Sequence, residues 1–288
     1  MNRVLVFGAT GNVGRQVVTQ LMTEGTEVRA VTRNPDAAAL PSLVEVMRGD
    51  LSDPDSLDRC LSGIETLFLV WAGPPAAIAP TLERITRHAR RIVFLSAPLK
   101  TRHPFFQQPN PLRAMFEQIE QRIESSGLEW TFLRPGMFAA NALGWWGPQI
   151  RRSDVVRWPF AEFPSAPIHE KDIAAVAVRT LCDKGNGGAE YVLTGPQALT
   201  HAQQVTIIGQ AIGRPLRFEE VSPDRWREEC SGTWPPAAVN MLLDAWSAAT
   251  GHPAVVTSTV ADITGIPARS FHEWARDHAA QFHSRSSL

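Results

Sequence analysis

Residues 4–14 read Val4-Leu5-Val6-Phe7-Gly8-Ala9-Thr10-Gly11-Asn12-Val13-Gly14. Few local structures suit such a run besides a strand, a tight turn and a helix. The four apolar residues predict a buried strand, and helical periodicity over Val13–Thr23 predicts the helix. Each glycine has its own task. Gly8 permits the tight turn, Gly11 leaves room for a ligand to approach the backbone, and Gly14 lets the helix pack closely on the sheet. The helix start offers unpaired N–H groups and a partial positive charge, which suit a diphosphate. Thr10, Asn12 and Val13 belong to the same bend. The expected ligand is therefore a dinucleotide.

The chain continues in the same rhythm. Strands are expected at Glu27–Thr32, Val44–Met47, Thr66–Val70, Ile92–Leu95 and Trp130–Leu133. Ser52, Asp53 and Pro54 signal a helix over Asp55–Leu61, and Gly127 stops a longer one over Pro111–Ser125. Such alternation predicts an α/β fold with a doubly wound parallel sheet. Beyond Arg134-Pro135-Gly136 the alternation loosens. Met137–Trp146 is rich in aromatics, Ile173–Leu181 and Val205–Ile212 are helical, Tyr191–Leu193 and Leu216–Val221 are strand-like, and the remainder is mostly helical. We expect a nucleotide-binding core over 1–135 and a smaller, mostly helical substrate lobe over 136–288, returning in part to the core over 168–195. The tail 284–288 is expected to fray.

The end of the second strand selects the cofactor. An acidic residue there would accept from a ribose 2′-hydroxyl, but this chain has Val31-Thr32-Arg33-Asn34. A guanidinium suits a 2′-phosphate, so NADP(H) is expected, with NAD(H) as the alternative. Gly49-Asp50-Leu51, after the third strand, lies where the adenine edge would be, with Asp50 as its acceptor. Val70, Trp71 and Ala72 close the fourth strand on the cofactor side.

Composition removes several other functions. The net charge of −1 leaves no electrostatic footprint for a nucleic acid. No run of 18 apolar residues or leader is evident, so no membrane role is expected. Cys60, Cys182 and Cys230 lack ligand or disulfide spacing, so no metal is expected and the setting is read as cytoplasmic. Of 28 basic residues only Lys100, Lys171 and Lys184 are lysines, a bias typical of a GC-rich genome such as an actinobacterium's.

At these residues the chain resembles the NmrA-like group of atypical short-chain dehydrogenase/reductases, which includes isoflavone-reductase-like proteins and NAD(P)H-dependent quinone reductases. The likeness rests on Gly8 to Gly14, Arg33, Gly49-Asp50-Leu51, Ser96, Glu120, Ser126 to Pro135, Phe138 with Asn141, and His169 to Ala174. It implies a Rossmann-type sheet with a carboxy-terminal lobe roofing the nicotinamide. It does not imply turnover, because the group holds both reductases and redox-sensing regulators. Two departures concern catalysis. The Tyr-x-x-x-Lys pair of short-chain dehydrogenases is missing, since the one tyrosine, Tyr191, is followed four residues later by Gly195. Isoflavone-reductase-like members carry a lysine one helical turn before the glutamate matched to Glu120. Here that position is Phe116.

The candidate catalytic residues are Ser96, at the end of the fifth strand, and His103, in the loop Lys100–Asn110, which is long enough for a lid. Ser96 could bond a substrate oxygen or the nicotinamide ribose. Arg113 could orient an anionic oxygen, although a surface role suits a first-turn residue. His169 and Asp172 are read as structural residues at a helix start. Phe105, Phe106, Phe138, Trp145, Trp146 and Trp158 are expected to line a flat slot for a polycyclic aromatic substrate. Two functions fit. One is an NADPH-dependent reductase of a quinone or related aromatic carbonyl, in aromatic polyketide tailoring and hence antibiotic biosynthesis. The other is a non-catalytic NADP(H) sensor that binds a protein. A homodimer or a partner enzyme is left open as its assembly.

Overall fold

Strand β1 (Arg3–Phe7) is apolar on both faces because helices cover it on both sides. Val4 and Val6 point into one apolar layer, and Leu5 and Phe7 into the other. The computed structural model describes residues 3–283, so the tail 284–288 lies outside it. After β1 come α1 (Asn12–Thr23), β2 (Glu27–Thr32), β3 (Glu45–Arg48), α2 (Asp58–Leu61), β4 (Thr66–Val70), α3 (Ile78–His88) and β5 (Arg91–Leu95). The expected helix over 55–61 is split. Its first turn, Pro54–Leu57, is wound as a tighter 3-10 turn. The expected lid loop holds a single-turn helix, α4 (Pro104–Gln107). Then follow α5 (Pro111–Glu124) and β6 (Glu129–Pro135).

The central sheet has seven parallel strands in the order β3-β2-β1-β4-β5-β6-β9, where β9 is Ala189–Leu193. The chain winds outward from β1 to β3 and then crosses back to β4. The carboxyl ends of β1 and β4 therefore flank the point where the winding reverses, and open α/β sheets bind ligands at such a point. Helix α1 packs against α8 (Glu170–Cys182) on one face, while α3 and α5 cover the other.

Between β6 and α8 the chain leaves the sheet through α6 (Asn141–Trp145), α7 (Gly147–Ile150), β7 (Val155–Trp158) and β8 (Pro164–Ser165). After β9 it leaves again through β10 (Leu199–Thr200), α9 (His201–Ala211), β11 (Arg217–Glu220), α10 (Pro223–Glu229) and α11 (Pro236–Ala249). It ends on α12 (Thr259–Thr264), packed on α8, and α13 (Phe271–Asp277), packed on α9. These two excursions pair through β7–β11 and β8–β10 and share a core built around Trp146, Trp158, Trp226, Trp246 and Trp274. Capping boxes start two of the lobe's helices. Thr200 with Gln203 opens α9, and Ser270 with Glu273 opens α13.

Candidate active site

The bend after β1 is built by steric necessity. Gly8 has φ of +75°, and a Cβ there would lie 2.8 Å from the Cβ of Val70 at the end of β4. Gly11 donates its N–H to the Gly8 carbonyl at 3.0 Å and caps α1 without any side-chain bond. A Cβ on Gly11 would meet only the Gly8 carbonyl oxygen, at 3.4 Å. The protein itself barely requires glycine at position 11, and the bare backbone there is open to a group approaching from outside. The first amides of α1 have no partner one turn earlier in the helix, and the first turn carries no acidic residue. Thr10, Gly11 and Asn12 are exposed there, and Val13 anchors the turn in the core. This cradle fits a diphosphate.

The other predicted cofactor residues lie beside it. Arg33 is exposed beyond β2, and its charge acts on Asp50 beyond β3. The Ser52 amide and hydroxyl hold the Asp50 carboxyl below the ordinary carboxylate range against an opposing effect of burial, and the Arg33 charge adds least. Leu51 and Trp71 are buried, Val70 is half-buried and Ala72 is exposed. The Trp71 indole N–H is buried with no partner among the described residues.

A cavity of about 370 Å³ opens beyond β5 and β6. Ser96, Phe105, Phe106, Phe138 and Trp145 line it, together with Phe116 from α5. Trp146 and Trp158 do not. They are 0% and 3% exposed and pack on Trp226, Trp246 and His201 in the lobe core. Trp145 and Trp146 point about 100° apart, and here the first faces the cavity while the second is buried in the lobe core. Trp158 occupies an inward position of β7. His103 is also elsewhere. Its Nδ1 accepts from the Phe105 amide at 3.3 Å, which leaves Nε2 to donate to the Pro253 carbonyl at 3.1 Å. Burial lowers its pKa, against the Pro253 bond. Capping α4 with both nitrogens engaged, it has no proton for the cavity.

Arg113 reaches the cavity wall, but its guanidinium donates to the carbonyls of Phe106 and Leu99 and pairs with Glu117. It ties the α4 segment to α5. His169 caps α8, and Asp172 pairs with Arg269 across to the carboxy-terminal segment. Glu120, one turn after Phe116, points inward to Arg134 and Ser96. Arg134 is only 2% exposed. An unpaired guanidinium at that depth would cost several kcal/mol, and Glu120 and Glu190 offset this.

Met241, Leu242 and Ala245 complete the far wall of the cavity from α11. Sequence reasoning missed them. Their apolar spacing is visible in the sequence, but it does not reveal that α11 packs against α4.

Residues 8–184 match a family model described as NAD(P)H-binding. The chain is 37% identical over 286 residues to the (4-alkanoyl-5-oxo-2,5-dihydrofuran-3-yl)methyl phosphate reductase of Streptomyces griseus, covering 97% of this chain and 99% of that protein. It is 32% identical over 290 residues to the NAD(P)H azoreductase of Xenophilus azovorans, covering 97% and 99%. Among solved structures, an NADPH-dependent quinone oxidoreductase from Escherichia coli, complexed with NADPH, superposes with a TM-score of 0.77 at 23% identity, covering 95% and 99%. The triphenylmethane reductase of Citrobacter sp., complexed with NADP(H), gives 0.79 at 19% identity, covering 96% and 99%. An NmrA structure gives 0.75 at 18% identity, covering 98% and 96%. At these identities the likeness to solved structures is one of fold.

Proposed function

The chain belongs to the NAD(P)H-binding family and is an NAD(P)H-dependent oxidoreductase; on that premise we propose that it is an NmrA-like reductase that uses NADPH to reduce a quinone or related polycyclic aromatic carbonyl. The observation that carries this reading is an aromatic cavity at the sheet's carboxyl edge that has no Tyr or Lys among its described lining residues. Bound NADPH supplies a hydride. An unactivated ketone would also need a strong donor for its developing alkoxide. A quinone does not, because its reduced anion is a delocalised phenolate that solvent can protonate.

The chain's residues then have modest tasks. The Gly8–Gly14 bend and the α1 amides hold the diphosphate, and Arg33 reads the 2′-phosphate. Phe116, Phe138 and Trp145 exclude water and orient a flat acceptor. The acceptors named for its relatives and structural neighbours are an alkanoyl-oxo-dihydrofuran methyl phosphate, azo compounds, quinones and triphenylmethane compounds, and each offers a conjugated, electron-poor π bond. A phosphate ester suits this cavity less well. Among the described lining residues Arg113 is the one cation, and two carbonyls and Glu117 already occupy it. We place the reaction in aromatic polyketide tailoring, a setting compatible with the lysine-poor composition of a GC-rich genome.

The test is a panel of acceptors graded by electrophilicity. Steady-state NADPH oxidation should be fastest with anthraquinones and naphthoquinones and undetectable with unactivated ketones. Cofactor binding without oxidation across the whole quinone series would overturn the reading in favour of an NADP(H) sensor.

A further inference from the structure

An ion network lies behind Ser96. The Ser96 hydroxyl, on a residue 6% exposed and in the cavity wall, donates to Glu120 Oε1 at 2.6 Å. Glu120 is itself 4% exposed. Arg134 donates from Nε to Oε1 at 3.0 Å and from Nη2 to Oε2 at 2.6 Å. Arg134 then turns Nη1 to Glu190 Oε2 at 2.6 Å, and Lys100 pairs with the other Glu190 oxygen. Two carboxylates and two cations alternate, so the charges of the network balance.

This arrangement sets the polarity of Ser96. With a guanidinium donating to both its oxygens, Glu120 is an acceptor. A serine has one proton, and here it points away from the cavity. Turning it toward the cavity would strip a buried carboxylate of a charge-assisted hydrogen bond. No protein group among the described residues donates to Ser96 Oγ, so the hydroxyl offers its lone pairs to whatever binds beside it. A quinone or aromatic carbonyl brings only acceptors. A dinucleotide with its adenosine end at Arg33 and Asp50 carries its other half over β4 and β5, and Ser96 is the first residue past β5.

We propose that Ser96 accepts a hydrogen bond from a ribose hydroxyl on the nicotinamide half of the cofactor, and that Glu120 is the positioning residue that fixes the direction of the Ser96 proton. Ser96 is then no acid for the substrate, which agrees with an acceptor that needs none. The inference shares the cofactor premise of the proposed function. Its test needs no acceptor, so the two can fail separately.

The experiment is calorimetry on the full chain with NADPH and with 2′,5′-ADP, a fragment that lacks the nicotinamide ribose. Ser96→Ala should weaken NADPH about three- to tenfold, the size of one neutral hydrogen bond, and leave 2′,5′-ADP unchanged. Ser96→Thr keeps the hydroxyl and should bind both as the native protein does. Glu120→Gln sets an amide NH₂ against either Ser96 or the Arg134 guanidinium and removes the anionic acceptor that holds the Ser96 proton, so NADPH should weaken, by no more than in Ser96→Ala, while 2′,5′-ADP is unchanged. Unchanged NADPH affinity in Ser96→Ala would overturn the proposal, most tellingly if kcat fell at the same time, because Ser96 would then serve the substrate. Equal weakening of both ligands in Ser96→Ala would also overturn it. Loss of both ligands in Glu120→Gln, or native NADPH affinity there, would remove the positioning role from Glu120.

Discussion

Gly14 rests on the carbonyl of Gly8, and a Cβ at position 14 would fall 2.1 Å from that oxygen. The obstacle is backbone, not the end of a flexible side chain, so α1 would have to lift from the turn. Gly14→Ala is expected to destabilise the fold by about 1–3 kcal/mol, the usual range for overpacking, and to weaken NADPH binding more than tenfold by disturbing the cradle. Urea unfolding and calorimetry measure the two effects.

Arg33 is exposed, so its replacement should leave stability unchanged. Arg33→Asp is expected to weaken NADPH by roughly 10- to 100-fold, the loss of a charge-assisted contact, and to bring NADH to equal or better affinity. Unchanged selectivity would mean that Arg33 does not read the phosphate.

Ala245 is the smallest side chain that α11 turns to the cavity. Ala245→Phe should fill part of the 370 Å³. The expected outcome is a KM for three-ring quinones raised at least tenfold, with a single-ring benzoquinone nearly unaffected. Equal loss for both acceptors would show that α11 does not bound the substrate.

The carboxy-terminal helix should carry a pH-dependent part of the stability. His278 Nε2 donates to buried Glu170 at 2.9 Å, and His169, Trp274 and the Lys171–Asp277 pair surround them. Burial alone would lower the His278 pKa, but the Glu170 bond and charge, with the Trp274 carbonyl and Asp277, raise it above 6.5. Burial likewise pushes Glu170 up, and the neighbouring His169 and His278 imidazoles outweigh it, taking it well below 4.5. A raised histidine contributes fully below its unfolded value and loses that contribution as pH rises through its folded value. A depressed carboxylate contributes fully above its unfolded value and loses it as pH falls through its folded value. Both contributions are therefore complete between 4.5 and 6.5. The stability gap between the native protein and His278→Asn should be widest in that window and narrow as pH rises above it. Urea midpoints across pH measure this, and a constant gap would contradict it.

Local signals made the sheet readable. Strands such as Val4–Phe7 and Thr66–Val70 are short apolar runs beside turn residues, and parallel strands covered on both faces must look that way. The bend at Gly8–Gly14 is equally local, since Gly8 and Gly14 meet steric demands of the fold and Gly11 between them leaves the backbone open. The lobe was less readable because its side chains take their roles from distant partners. Trp145 and Trp146 are neighbours, yet one faces the cavity and the other is fully buried. Only the way α6 lands on the lobe core decides which. His103 looked free in a loop, but it is taken by Pro253, 150 residues away. Met241, Leu242 and Ala245 formed one apolar stripe among several, and no spacing rule says that α11 crosses α4.

The most direct experiment is an anaerobic single turnover, in which the protein–NADPH complex is mixed rapidly with an anthraquinone-type acceptor while NADPH absorbance is followed. The predicted result is loss of that absorbance in one phase, with one hydroquinone formed for each NADPH consumed. If NADPH binds and its absorbance persists with every quinone tried, the protein does not transfer hydride to this class of acceptor.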